Sequence, residues 1–104
     1  MGITMEQRRG ARAEVALELT LMRARGGPVL GRTADVGPGG ARVLVERPLA
    51  IDEELVFDLV TSRGHVDGRA RVLREYGRNC YALRFTTLDA PASAVLSGEL
   101  ARTT

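Results

Sequence analysis

Apolar and polar residues alternate along most of this chain, which is the pattern of β-strands that bury one face. Gly- and Pro-containing clusters such as 25–28, 37–40 and 62–65 interrupt the alternation at the places where turns are expected. The pattern predicts six short strands, over residues 15–22, 29–36, 41–45, 54–61, 66–76 and 79–86. Six short strands at such close spacing favour a small antiparallel barrel.

A single helix is predicted after the last strand. Asp89 is placed to cap its N-terminus, and Pro91 is tolerated in a first helical turn. Val95, Leu96 and Leu100 give this helix one apolar face, which we expect to cover part of the barrel or one of its open edges. The predicted fold class is therefore all-β, a six-stranded antiparallel barrel with a C-terminal α-helix.

A chain of 104 residues is sufficient for one domain. Residues 1–11 are polar and rich in Arg, so we predict a flexible N-terminal arm, followed by the barrel and helix over residues 12–104. No apolar run approaches the roughly 20 residues that cross a bilayer, and the N-terminus lacks the apolar stretch of a secretory signal. We expect a soluble, cytoplasmic protein.

The sequence offers little for catalysis or for a metal. His65 and Cys80 are the one histidine and the one cysteine of the chain. A nucleophile needs a nearby base, and a hydrolytic metal needs several ligands. We therefore predict no enzymatic activity, no metal and no cofactor.

The basic residues are all arginine, fifteen in number, although the net charge is only +2. Any basic site is therefore built of guanidinium groups, whose planar forks suit phosphate and guanine. A barrel that binds single-stranded nucleic acid is an alternative, but such barrels need aromatic platforms. The two Phe and two Tyr are too few, and we expect Tyr76 and Tyr81 to serve in packing.

Two polar motifs stand out. The first is RRGAR at residues 8–12, in which Arg8 and Arg12 are four residues apart. The second is DVGPGG at 35–40, at the end of the predicted strand 29–36. Because the start of one strand in a meander lies beside the end of the next, we expect both motifs at the same end of the barrel.

These motifs resemble those of the PilZ domain family, whose pattern is an RxxxR arm followed about a strand-pair later by a [D/N]xSxxG turn. The segments RRGAR at 8–12 and DVGPGG at 35–40 take these places. Pro48-Leu49, GRARVLR at 68–74 and YALRF at 81–85 are similar to later parts of the family pattern. The resemblance covers nearly the whole chain and implies a receptor for the second messenger cyclic di-GMP.

The resemblance also implies roles for individual residues. Arg8 and Arg12 would direct guanidinium forks at the guanine Hoogsteen edge and at phosphate. Asp35 would accept hydrogen bonds from guanine N1–H and the exocyclic amine. Gly40 and Gly39 would let the backbone approach the ligand closely, although a tight turn with positive φ explains them equally well.

Two further positions belong to this predicted site. Arg9 would replace Arg8 if the register of the arm differs. Gly37 stands where the family pattern has Ser, so a hydroxyl worth on the order of 1 kcal/mol is missing. An alternative is therefore a PilZ-fold adaptor that works through protein contacts without binding the nucleotide. Under either hypothesis the response passes to a partner protein or through self-association.

Overall fold

The computed structural model describes residues 12–103, which form a closed barrel of six antiparallel strands and one helix. The elements are β1 (Glu18–Met22), β2 (Val29–Gly37), β3 (Gly40–Val45), β4 (Glu54–Thr61), β5 (Gly64–Gly77), β6 (Cys80–Thr87) and α1 (Ala90–Thr103). The strands follow one another around the barrel in the order β1-β2-β3-β6-β5-β4. The predicted fold class is confirmed, and the predicted arm at residues 1–11 lies outside the described residues.

The barrel interior is filled by the inward-facing residue of each alternating pair. Leu21, Leu59 and Val72 are fully buried, and Phe57 stacks on Phe85 with ring centroids 4.7 Å apart. Each buried aliphatic or aromatic side chain of this size contributes about 1.5–3 kcal/mol through removal from water. Aliphatic residues supply most of this core, because the chain has only two Phe, two Tyr and no Trp.

The first strand is shorter than predicted, because Thr33 takes over part of its hydrogen bonding. Its hydroxyl donates to the carbonyl of Val15 and accepts from the backbone N–H of Leu17, and Thr33 N–H donates to Leu17 O at 3.0 Å. The backbone of residues 15–17 is therefore held by a buried side chain of β2, and the regular ladder begins at Glu18.

A register shift in β2 decides which way its last residues point. The pairing with β3 slips between Thr33 and Asp35, so that Ala34 is an extra residue. Such a bulge reverses the alternation that follows it. Val36 consequently faces the core and is fully buried, while Asp35 is turned to the outer face.

The β4–β5 turn is tighter than predicted. Thr61 pairs with Gly64, so Ser62 and Arg63 alone form the β4–β5 turn. His65, which the sequence placed in that turn, belongs to β5, and its Nδ1 lies 2.9 Å from the carboxylate of Asp58.

Helix α1 covers one end of the barrel. Asp89 caps it as predicted, because its Oδ1 accepts the N–H of Ala92 at 2.9 Å. Ala92 and Leu96 join the core, and buried Glu99 accepts hydrogen bonds from the N–H and hydroxyl of Ser62 in the β4–β5 turn. This end of the barrel also carries the β2–β3 turn. Across residues 12–103, α1 is too short and too polar to span a membrane.

Candidate ligand-binding site

The segment that precedes β1 is fastened to the end of β2. Ala13 and Val36 exchange two backbone hydrogen bonds, of 2.8 and 2.9 Å, in an isolated β-bridge. This bridge brings the neighbouring residues Arg12 and Asp35 side by side, although they are 23 positions apart in sequence. The structure therefore places the end of the RRGAR motif against the start of the DVGPGG motif, at one end of the barrel.

Arg12 and Asp35 form an ion pair that uses only part of each group. Arg12 donates from Nε at 2.9 Å and from one terminal nitrogen at 2.7 Å, and both hydrogen bonds end on Oδ1 of Asp35. The same terminal nitrogen lies 3.4 Å from the carbonyl of Gly40. The Arg12 side chain is 38% exposed and that of Asp35 is 14% exposed. A pair this open to solvent contributes at most about 1 kcal/mol to stability.

A second arginine, which the sequence reasoning missed, lies on the other side of the carboxylate. Arg42 of β3 is opposite Asp35 in the strand register, and its Nε lies 3.7 Å from Oδ2. The signal that reveals it is the two-residue turn: once Gly37 pairs with Gly40, counting two residues away from the turn along both strands brings Arg42 beside Asp35, before the bulge is reached.

Arg42 also reaches an aromatic ring. Its Cζ lies 5.3 Å from the centroid of the Tyr76 ring, near the end of β5. The expectation that both tyrosines serve in packing is wrong for Tyr76, which is 46% exposed, and holds for Tyr81, which is buried. Loss of solvent around its hydroxyl raises the pKa of Tyr76, and the charge of Asp35 adds to the rise while Arg42 opposes it. The ring is therefore a neutral phenol at pH 7.

The fold requires one glycine of the DVGPGG motif, Gly40. Gly37 pairs with Gly40, so that Pro38 and Gly39 form the two-residue β2–β3 turn. A Cβ on Gly40 would collide with the carbonyl oxygen of Leu83 in β6, so close approach of that strand excludes a side chain. Gly39 is open to solvent and its carbonyl accepts the N–H of Phe85 at 2.8 Å.

The suggestion that positive φ angles explain Gly39 and Gly40 is wrong. Neither has a φ in the left-handed region, which among the glycines of residues 12–103 is found at Gly26 and Gly64. The chain passes through this turn with backbone angles open to ordinary residues, and packing against β6 is what requires Gly40. Arg8 and Arg9 lie outside the described residues, so their contribution to the site stays a prediction.

The residues between 12 and 103 contain no group of three or more His, Cys, Asp or Glu side chains that is able to hold a metal ion. The chemistry available around Asp35 is that of two guanidinium groups, its own carboxylate and one exposed phenol. Such a set suits a planar, anionic ligand with hydrogen-bond donors on its edge.

The sequence profile of the PilZ domain matches residues 6–102. The chain belongs to the PilZ domain family. No curated protein sequence matches the chain.

Two solved structures show the same fold as this PilZ domain. The inhibitor of motility MotI/DgrA from Bacillus subtilis has a TM-score of 0.73 and 14% identity, over 88% of this chain and 48% of that chain. The PilZ domain of CeSA from a cellulose-synthesizing bacterium has a TM-score of 0.67 and 20% identity, over 89% of this chain and 98% of that domain. This PilZ domain therefore spans about half the length of the motility inhibitor, with which it shares the fold.

Proposed function

We propose that this PilZ domain is a receptor for cyclic di-GMP. The observation that carries the proposal is the meeting of Arg12 with Asp35 across the Ala13–Val36 bridge. Membership of a family of regulatory receptor domains supports it. By the resemblance described above, these two residues belong to the two motifs that hold the ligand.

The geometry leaves donors and acceptors for a ligand. Both hydrogen bonds from Arg12 end on Oδ1 of Asp35, so Oδ2 accepts no hydrogen bond within the described residues. Guanine presents N1–H and an exocyclic amine side by side, and a carboxylate is the acceptor that fits both. The remaining N–H groups of Arg12 are free to meet phosphate or the guanine O6 and N7 acceptors.

The response that we propose is ordering of the N-terminal arm. Ligand phosphates would draw Arg8, or Arg9 in a shifted register, onto the barrel beside Arg12, and the covered surface would be recognised by a partner protein. Gly37, Gly39 and Gly40 would line the approach to the ligand as the backbone of the turn. We place this receptor in the cytoplasm and assign it no catalytic activity.

Calorimetric titration of the purified domain with cyclic di-GMP tests the proposal. We expect low-micromolar or tighter binding that falls at least about 100-fold, or about 2.7 kcal/mol, in Arg8→Ala, Arg12→Ala and Asp35→Ala. Arg25→Ala in the β1–β2 turn, at the opposite end of the barrel, is the matched control and should bind like the wild type. No binding to a folded wild-type domain would overturn the proposal.

A second candidate function is that of an adaptor that binds a protein without the nucleotide. Two observations favour it: Gly37 lacks the hydroxyl of the family motif, and the Asp35 carboxylate already lies between Arg12 and Arg42. This function predicts that the titration gives no heat while a partner protein still binds. Loss of that partner in a nucleotide-free pull-down of Asp35→Ala would then assign the same surface to protein contact.

A further inference from the structure

We propose that Arg42 and Tyr76 form a stacking shelf for a purine base of the bound dinucleotide, at the side of the site remote from Arg12. This inference rests on the proposed function and adds to it a second base-binding position, outside both sequence motifs. Arg42 is the residue that joins the two parts of the site, because it faces Asp35 on one side and Tyr76 on the other.

The strand order explains how the two residues meet. Arg42 of β3 pairs with Ala82 of β6, and Ala82 pairs with Arg74 of β5. Ala82 of β6 therefore lies between Arg42 of β3 and Arg74 of β5, and its side chain is small. The register of β5 shifts between Glu75 and Gly77, so the intervening Tyr76 leaves the regular ladder. Its ring thus lies within 5.3 Å of the Arg42 guanidinium, although β3 and β5 are not neighbours.

The exposure of the pair points to a ligand rather than to packing. The Arg42 side chain is 52% exposed and Tyr76 is 46% exposed, so one face of the stacked pair remains in contact with solvent. Exposed cation–π pairs stabilise a fold by only about 0.5–1 kcal/mol. A purine laid on the same stack would exclude water from a second planar face, and a base that stacks on an aromatic or guanidinium plane gains affinity.

The position of Arg42 ties the shelf to the rest of the site. Its Nε is 3.7 Å from Oδ2 of Asp35, the carboxylate oxygen that we assign to the edge of a guanine. A ligand whose one purine is held at Asp35 therefore has its second base or second phosphate within reach of the neighbouring strand. A guanidinium binds a base by stacking on its plane, and it also binds a phosphate through its planar fork, so both uses of Arg42 depend on the plane. A phosphate contact makes no use of the Tyr76 ring, so the Tyr76 variants separate the two uses of Arg42.

The test is a calorimetric titration with cyclic di-GMP of Arg42→Lys, Arg42→Ala, Tyr76→Leu and Tyr76→Phe. We expect Arg42→Ala and Tyr76→Leu to weaken binding roughly 5- to 100-fold. Arg42→Lys should weaken it nearly as much, because the charge stays but the plane is lost. Tyr76→Phe, which keeps the ring, should recover most of the affinity lost in Tyr76→Leu. The control Arg25→Lys removes a guanidinium at the other end of the barrel.

A spectroscopic readout separates stacking from a general effect on the fold. In proton NMR, the ring resonances of Tyr76 should move upfield on ligand addition, while those of buried Tyr81 should not. Wild-type binding that Arg42→Lys and Tyr76→Leu both retain, without a shift of the Tyr76 ring, would overturn the shelf and leave the receptor function standing. Absence of binding to the wild type would overturn the receptor function itself.

Discussion

The two ends of this barrel use the same pairing of arginine and carboxylate in different ways. At the end that carries the β3–β4 connection, Arg23 and Glu53 form a fork in which Nε meets Oε2 at 2.7 Å and a terminal nitrogen meets Oε1 at 2.8 Å. At the other end, both hydrogen bonds from Arg12 converge on one oxygen of Asp35.

The surroundings of the two pairs widen this difference. Glu53 also accepts the N–H of Ala50 at 3.0 Å, and Arg23 also donates to the carbonyl of Pro48 at 3.3 Å. Nearby, the hydroxyl of Tyr81 accepts the N–H of Leu49 at 3.0 Å. Both carboxylate oxygens of Glu53 therefore accept hydrogen bonds from the chain. At Asp35, Oδ2 accepts none within residues 12–103 and stays open to a ligand. The unused hydrogen-bonding oxygen of Asp35, rather than its charge, distinguishes the candidate site from the structural ion pair at Glu53.

The largest effect on stability should come from Gly40→Ala at the candidate site. The added Cβ would collide with the carbonyl oxygen of Leu83, and strand β6 would have to move. We expect a loss of about 2–3 kcal/mol in the free energy of unfolding, measured by urea denaturation. Gly39→Ala, with open space around the new methyl group, is the control and should change stability by less than about 0.5 kcal/mol. Equal effects of the two substitutions would contradict the role given to Gly40.

Replacement of Glu53 by Gln should have the next largest effect. The fork to Arg23 lowers the pKa of Glu53 from its ordinary value of 4.5, so the charged form stabilises the folded state. We expect Glu53→Gln to reduce the free energy of unfolding by about 1–2 kcal/mol at pH 7. The difference from wild type should persist above pH 4.5 and shrink as the pH falls through the lower pKa of the folded state.

Two other carboxylates sharpen this comparison. Glu54→Gln removes a neighbour whose side chain is 50% exposed and lies 3.5 Å from Arg71, so we expect a change below about 0.5 kcal/mol. Asp35→Ala should also have a modest effect on unfolding, even though it abolishes binding under the proposed function. A destabilisation by Asp35→Ala as large as that of Glu53→Gln would show that the two ends do not differ as described.

A smaller effect, on binding rather than on stability, should come from Gly37→Ser, which restores the hydroxyl of the family motif. If this hydroxyl bonds the ligand, calorimetry should show cyclic di-GMP binding about fivefold tighter, corresponding to about 1 kcal/mol. Gly39→Ser at the exposed turn position is the matched control, for which we expect no change. Weaker binding by a Gly37→Ser variant with unchanged thermal stability would argue against a favourable hydroxyl at this position.

Much of the fold is readable from the sequence because alternation and turn residues act locally. Strand β4 has the predicted bounds, and Asp89 caps α1 as its residue type suggests. The beginning of β1 was predicted too early, since no local pattern shows that the hydroxyl of Thr33 binds residues 15 and 17 from another strand.

The site was harder to predict, because register shifts determine which side chains face outward. Strict alternation from buried Val29 would turn Asp35 inward and Val36 outward, and the extra residue Ala34 reverses both. Tyr76 is likewise displaced by a shift in β5. The family resemblance indicated Asp35 regardless of orientation, whereas Arg42 and Tyr76 could be found only once the strands were paired.

The closure of the barrel limits how a partner can recognise this domain. Within residues 12–103, each of the six strands has a neighbour on both sides, although the pairing of β5 with β4 ends at Arg71 and β5 continues to Gly77. Apart from this last part of β5, the strands offer no free row of backbone N–H and C=O groups for the addition of a partner's strand. Over the rest of the barrel a partner must recognise side chains of the outer face, so the specificity of that interaction is encoded in outward-facing residues that are free to change while the barrel stays the same.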